Sequence, residues 1–386
     1  MKTLIFILCI LFIDLKAMEY NTLLQKALQN NSTLEISKNK VPQELLLAKI
    51  DVRLKNPKLS LEIADFSDTQ SHQFGATVGV SQSLLFPSVK ADKRNLASQR
   101  VSIASQRYQL KKSEFIYQFS MQYLLYKQAH KLQQLILQTF DISQNIVNIS
   151  QKRYQQGTVV KSDYLRTKIA HKNLLNMEKH LAFEVEKSLN SLKMLSNIKG
   201  KLSLSPEHRF ILNKSTSLHP LIKLTKKQKS LSQAKLALAS HTIESYEVFS
   251  EIESEPNEDI FRFGVSISLP IFNDKAEERQ LLKLEQANHE LTLINQKKAL
   301  SIELKTLTEE NILLRDILEE YESLSYEQNR LLQMYQKGYR IAKTNLVTLE
   351  MSKKSFINNQ EDMIKTHISI ERNIIRMNYL QGGKND

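Results

Sequence analysis

The chain has 386 residues and a formal charge of +13, with only 8 Gly, 7 Pro and no Trp. Length alone allows two or three domains, but long runs rich in Leu, Lys, Gln, Ser and Glu have the composition of extended helices rather than ordinary globules. The basic residues are spread along those runs and form no single block, which makes them a solvated helical surface and argues against a nucleic-acid face.

The N-terminus reads as a signal peptide. Lys2 precedes an apolar run from Leu4 to Ile13, and Leu15-Lys16-Ala17 places cleavage near Ala17. That run is too short to span a membrane as a helix, and no later stretch reaches the ~20 apolar residues a spanning helix needs. The only cysteine, Cys9, lies inside the run behind Ile7 and Leu8, not behind the small residues of a lipoprotein acceptor. A mature chain without thiols has no disulfides and no thiolate metal sites.

Two short helices follow, about Asn21 to Asn30 and around Gln43 to Leu54, before Asn56-Pro57 breaks to a strand with Leu59, Leu61 and Ile63 on one face. A loop near Asp65 to Ser71 turns the chain into a second strand. There Phe74, Ala76, Val78 and Val80 alternate with Gly75, Thr77, Gly79, Ser81 and Ser83. One greasy face and one wet face at a period of two suits a strand between lipid and a water-filled lumen. From about Ser88 to Gln155 no Gly or Pro interrupts a helical pattern. Its apolar steps of three, four and seven suit a side-by-side coiled-coil seam, and at 1.5 Å per residue the rod is on the order of 100 Å long. A returning helix spans Tyr164 to Ser196.

The second half repeats the plan. A helix from Pro220 to Ala239 leads to a weaker strand, roughly Ile243 to Glu253, and the Glu255-Pro256-Asn257 turn. The next strand runs from Phe261 to Phe272, with Phe261, Phe263, Val265, Ile267 and Leu269 alternating with Arg262, Gly264, Ser266 and Ser268. A second rod from about Lys275 to Gln336 folds back into a helix from Leu346 to Tyr379. The strand ends at Phe86 and Phe272 lie 186 residues apart, and Tyr154-Gln155-Gln156-Gly157 recurs as Tyr335-Gln336-Lys337-Gly338, 181 residues on. Leu165 and Leu346 each stand eight residues after their glycine. Three features in one order indicate an internal duplication, with the signal peptide over 1–17, a first repeat over 18–200 and a second over 201–386. Four strands cannot close a barrel alone, so the chain is expected to oligomerise.

This layout resembles the TolC-like outer-membrane efflux proteins, through the strand ends at Phe86 and Phe272 and two hairpin motifs. The first is Arg153-Tyr154-x-x-Gly157 with Asp163 and Leu165, the second Tyr335-x-x-Gly338 with Leu346. The resemblance covers nearly the whole mature chain. It implies a mainly α fold in which a long coiled-coil barrel continues into a twelve-stranded β-barrel, built by a homotrimer giving four strands per chain. It further implies a barrel in outer-membrane lipid, helices in the periplasm, and tip turns that dock a periplasmic adaptor protein and, with it, an inner-membrane pump. The adaptor-docking residues would be Tyr154, Gly157, Asp163, Leu165, Tyr335, Gly338 and Leu346.

Gly157 and Gly338 are expected to take the left-handed conformation that ends a helix and reverses the chain, with Tyr154 and Tyr335 packing across the hairpin necks. Some family members close the tunnel with acidic side chains near the second hairpin. The matching positions here are Thr344 and Val347, which carry no charge, and Asp163 of the first hairpin stands among Lys161, Arg166 and Lys168. These three are the candidate gate positions. With Lys152, Arg153, Lys337, Arg340 and Lys343 the tip reads as basic, favouring anionic or amphipathic solutes over free divalent metals.

The nine histidines lack the i, i+4 pairs or Cys partners of specific metal sites. No phosphate loop, nucleophile elbow or Cys/His dyad is present. The expectation is a passive duct for drugs, toxic compounds or metal ions, with no catalytic residue, cofactor or metal. The competing class is an exported coiled-coil spacer or adhesin of the cell envelope, which would account for the rods but not for the alternating strands.

Overall fold

The computed structural model describes residues 17–68, 71–213, 218–255 and 257–382. The signal sequence, Cys9 within it, the tip of the first strand loop, Pro256 and the last four residues lie outside them. The order is α1 (Tyr20–Asn30), α2 (Ser32–Asp51), β1 (Lys58–Asp68), β2 (Ser71–Leu85), α3 (Pro87–Gln155) and α4 (Lys161–Ser196). Then come α5 (Pro220–Ala239), β3 (Ser245–Ser254), β4 (Asp259–Ile267), α6 (Ala276–Arg340) and α7 (Leu346–Leu380). The two rods, 69 and 65 residues long, are each one uninterrupted helix.

Two boundaries differ most from the sequence reading. α2 begins at Ser32, eleven residues before the expected Gln43, and runs through Pro42. A single internal proline removes only one intrahelical hydrogen bond, and an otherwise helical run can absorb it. β4 stops at Ile267 instead of continuing to Phe272. Pro270 has no N–H to give a ladder, and the Ile271 N–H turns back to the Leu269 carbonyl at 2.9 Å.

The chain divides into two compact units, each drawn from both halves of the sequence. One comprises residues 1–32, 112–217 and 301–386, the other residues 33–111 and 218–300. The sequence repeats therefore do not coincide with the compact units, because α3 and α6 contribute to both.

The second unit carries the sheet, an all-antiparallel meander in the order β1-β2-β3-β4. Its register aligns the faces. Leu61 stands opposite Val78, Val78 opposite Ile252, and Ile252 opposite Phe261, so one row crosses all four strands on the apolar side. Leu61, Ile63, Phe261 and Phe263 are all more than 65% exposed there, an uncovered greasy face. The opposite face carries Lys58, Glu62, Glu247, Glu251, Glu253 and Arg262. Glu247 Oε1 accepts from Ser81 Oγ at 2.5 Å, and Arg262 pairs with Glu251 at 3.3 Å and with Glu253. β1 pairs only with β2 and β4 only with β3, so both edges of the sheet are open. In the same unit α5 is tied to α6 by Thr225 to Gln296 at 2.9 Å and Lys229 to Glu290 at 2.9 Å.

In the first unit α1 buries Tyr20, Leu23, Leu24 and Ala27, an i, i+3, i+4, i+7 stripe. Tyr20 enters an aromatic cluster with Phe119 and Tyr123 of α3 and with His208 and Phe210 of the segment between α4 and α5. That segment is held as a belt. Tyr126 Oη donates to the Leu204 carbonyl at 2.6 Å, Tyr123 Oη to Ser205 at 2.7 Å, and the buried Lys127 Nζ to His208 at 2.7 Å. Lys127 also meets both oxygens of Glu371 on α7, at 2.6 and 2.8 Å. Burial nevertheless pulls the Lys127 ammonium below its ordinary pKa, outweighing the support of Glu371.

Candidate functional site: the two helical turns

Each rod ends in a turn of the same backbone design. In the first, the Gly157 N–H reaches the Tyr154 carbonyl at 3.0 Å and the Thr158 N–H reaches Arg153 at 2.9 Å. In the second, the Ala342 N–H reaches Tyr339 at 3.3 Å and the Lys343 N–H reaches Gly338 at 2.8 Å. Both are Schellman closures, which need one residue in the left-handed region just after the helix. Gly157 supplies it with φ +71° and Ala342 with φ +62°.

Gly338 is thus not the left-handed residue expected from sequence. It lies inside α6, and its carbonyl accepts the Lys343 bond. Its lack of a side chain serves a different contact: a Cβ there would collide with Thr344 Oγ1. The structural counterpart of Tyr154-x-x-Gly157 is Tyr339-Arg340-Ile341-Ala342, one helical turn beyond the sequence match. The two closures are 185 residues apart, in line with the 186 between the strand ends.

The predicted residues separate into two groups. Leu346 belongs to a buried cluster with Ile146, Leu332, Tyr339 and Leu349, which joins α3 to α6 and α7, and the partly buried Tyr335 packs against it. Tyr154 stays on the first hairpin, its ring stacked on Tyr164 of α4 at 5.9 Å. Asp163 sits in the first turn of α4, where the helix dipole favours a carboxylate. Leu165 is exposed. Of the other gate candidates, Thr344 packs on Gly338, and the exposed Val347 lines a groove of about 560 Å³ between α4 and α7, with Met177 and Met351. Asp163 stands on α4, Thr344 against Gly338 and Val347 on α7, at three separate places in the turns. Lys152, Lys161, Arg166, Lys337, Arg340 and Lys343 are all exposed, so the basic surface stands at both turns.

A link between the hairpins had not been read from sequence. Arg153 Nη1 donates to the Tyr339 carbonyl at 2.9 Å, and the guanidinium lies 4.7 Å from the centre of the Tyr339 ring. The ring is almost fully buried, and its hydroxyl has no hydrogen-bond partner. Arg153 thereby ties the end of α3 to the end of α6 by one charge-assisted hydrogen bond and one cation–π contact. Among the described residues no group of three or more His, Cys, Asp or Glu side chains could hold a metal ion, and no helix is long and apolar enough to cross a membrane.

The described residues thus hold two long helical hairpins and one four-stranded, two-faced sheet. Residues 23–197 match the outer membrane efflux protein family. By structure the chain is similar to the open state of the Neisseria gonorrhoeae MtrE outer membrane channel, at TM-score 0.77 and 14% identity over 95% of this chain and 90% of that one. It is similar to the Vibrio cholerae outer membrane protein VceC, at TM-score 0.76 and 12% identity over 95% and 97%. It also resembles the Campylobacter jejuni CmeC outer membrane channel, at TM-score 0.75 and 14% identity over 95% and 86%. No curated protein matches by sequence. The family match over residues 23–197 and the fold shared with these channels point the same way as the resemblance drawn from the sequence.

Proposed function

We infer that this chain is a protomer of an outer-membrane channel, the exit component of a tripartite efflux system, with its sheet in the outer membrane and its helices in the periplasm. The observation that carries this reading is the sheet. It is two-faced in register across all four strands, and both its edges are open. Open edges invite strand pairing, and β1 and β4 run in opposite directions, so the β4 of one copy can pair antiparallel with the β1 of the next. Three copies give a twelve-stranded barrel, apolar outside and polar within, wide enough for a channel. Leu281, Leu284 and Leu291 of α6 stand more than half exposed at three- and seven-residue spacing, a seam suited to a neighbouring copy's helix.

The turns are the part of the duct that an adaptor would grip. The Arg153 link is suited to hold the two hairpins of one protomer together at rest, and engagement by adaptor and pump would part them. No step needs an energy source or a catalytic residue in this chain. The solute class is set by shape and charge, and the exposed basic turns favour anionic or amphipathic cargo. The test is reconstitution of the mature protein in a planar bilayer, with the oligomeric state measured by mass photometry. Trimers that conduct ions support the reading. Folded protein that neither assembles nor conducts contradicts it and favours an envelope spacer.

A further inference from the structure

Glycines are costly inside strands, where they weaken pairing and pack no side chain. The polar face of the sheet nevertheless places two of them directly opposite its large side chains. Gly264 of β4 faces Phe249 of β3, and Gly79 of β2 faces Glu251 of β3. The space above each glycine is filled by a neighbour. A Cβ on Gly264 would lie 2.6 Å from Phe249 Cζ and 2.9 Å from Cε1, so the ring lies flat across the glycine. A Cβ on Gly79 would lie 2.6 Å from Ser60 Oγ and 3.4 Å from Glu251 Cβ. Ser60 Oγ leans over that strand to donate to the Gly79 carbonyl at 3.3 Å, and Glu251 lies along the same glycine, with Oε2 3.9 Å from that Cβ position, while its Oε1 meets Arg262 at 3.3 Å. Neither glycine has a positive φ, so the conformational freedom of glycine does not explain either position.

We propose that Gly264 and Gly79 set the bore of the β-barrel by giving Phe249 and Glu251 a place to lie down. An aromatic ring covering a cross-strand glycine shields the bare backbone beneath it. Here the same contact keeps the Phe249 ring, which stands on the polar face, out of the passage. Filling Gly264 would lift the Phe249 ring from the sheet into the lumen, and the barrel would narrow at that layer. This makes Phe249 a size-determining residue for solutes leaving the channel, with Gly264 as its positioning residue. The proposal rests on the channel reading, in which the polar face lines the lumen.

The test is cryo-electron microscopy of the assembled full-length protein as wild type, Gly264→Val, Gly264→Ala and Gly264→Val/Phe249→Ala. Alanine adds only the Cβ and keeps the test available if the valine variant does not fold. The expected result is a Phe249 ring lying over Gly264 in the wild type and standing into the lumen in the single variants, with a narrower bore. The bore should reopen in the double variant. A closed wild-type barrel whose ring and bore stay unchanged on substitution at Gly264 would overturn the bore assignment alone. Wild-type particles with no closed barrel would overturn the channel reading together with it.

Discussion

The belt around Lys127 and the joint at Arg153 both fasten the rod α3 to the second-repeat helices, by very different means. At the belt a buried ammonium satisfies a carboxylate and a backbone carbonyl at once, beside two tyrosine hydroxyls that bond the same segment. At the joint a half-buried guanidinium makes one hydrogen bond and one ring contact. Breaking the first leaves an uncompensated buried charge, whereas breaking the second releases a group that water can take up. The difference teaches which connection is permanent and which is suited to open.

The largest effect is expected at the belt. Glu371→Ala strands the Lys127 ammonium and should cost about 3–5 kcal/mol of stability, measured by chemical denaturation, while any assembled channel keeps its conductance. Arg153→Ala should cost less, about 1–2 kcal/mol for a partly exposed charged hydrogen bond, yet raise single-channel conductance. Opposite rankings in stability and conductance are the signature of the contrast, and equal rankings would break it. Gly338→Ala drives a Cβ into Thr344 and should destabilise the second turn by about 1–3 kcal/mol through overpacking. Ala342→Gly should stabilise the same turn by about 1 kcal/mol, because alanine in the left-handed region is strained. The pair, read by thermal denaturation, would show that the two glycine-like positions of this turn do different jobs.

A last and smaller effect sharpens the belt. Burial holds the His208 imidazole below its ordinary pKa, with Lys127 lowering it further and Glu19 partly opposing. Its Nε2 is buried without a partner, its ring is stacked on Tyr20 at 4.2 Å, and Phe210 and Tyr123 surround it. A histidine with a lowered folded-state pKa contributes stability that is complete above the unfolded value of 6.5 and is lost as pH falls through the folded value. Melting temperature should therefore fall on mild acidification, and His208→Gln should flatten that dependence. An unchanged pH profile in the variant would remove His208 from the account.

Most of the architecture was legible because its signals are long. Two rods with no Gly or Pro between their first residue and their last turn, and strands with strict alternation, leave little room for another assignment, and α5 matches its predicted bounds. The turns were legible in kind but not in register. The Tyr-x-x-Gly pattern at Tyr335 is a true repetition of letters. The backbone, however, closes four residues later on Tyr339 and Ala342, because a Schellman turn is defined by hydrogen bonds and tolerates a strained alanine. The 186-residue spacing of the strand ends was the available clue, since it disagrees with 181 and agrees with 185. The Arg153–Tyr339 joint had no such clue, because no periodicity announces a contact between residues 186 apart.

The most direct test of the account is single-channel conductance of the mature protein and Arg153→Ala in planar bilayers under identical salt. The account predicts a conducting wild type and a larger, more frequently open conductance in the variant, with assembly unchanged. A variant indistinguishable from wild type would contradict the Arg153–Tyr339 joint as the resting closure, and a wild type without any conductance would contradict the channel itself.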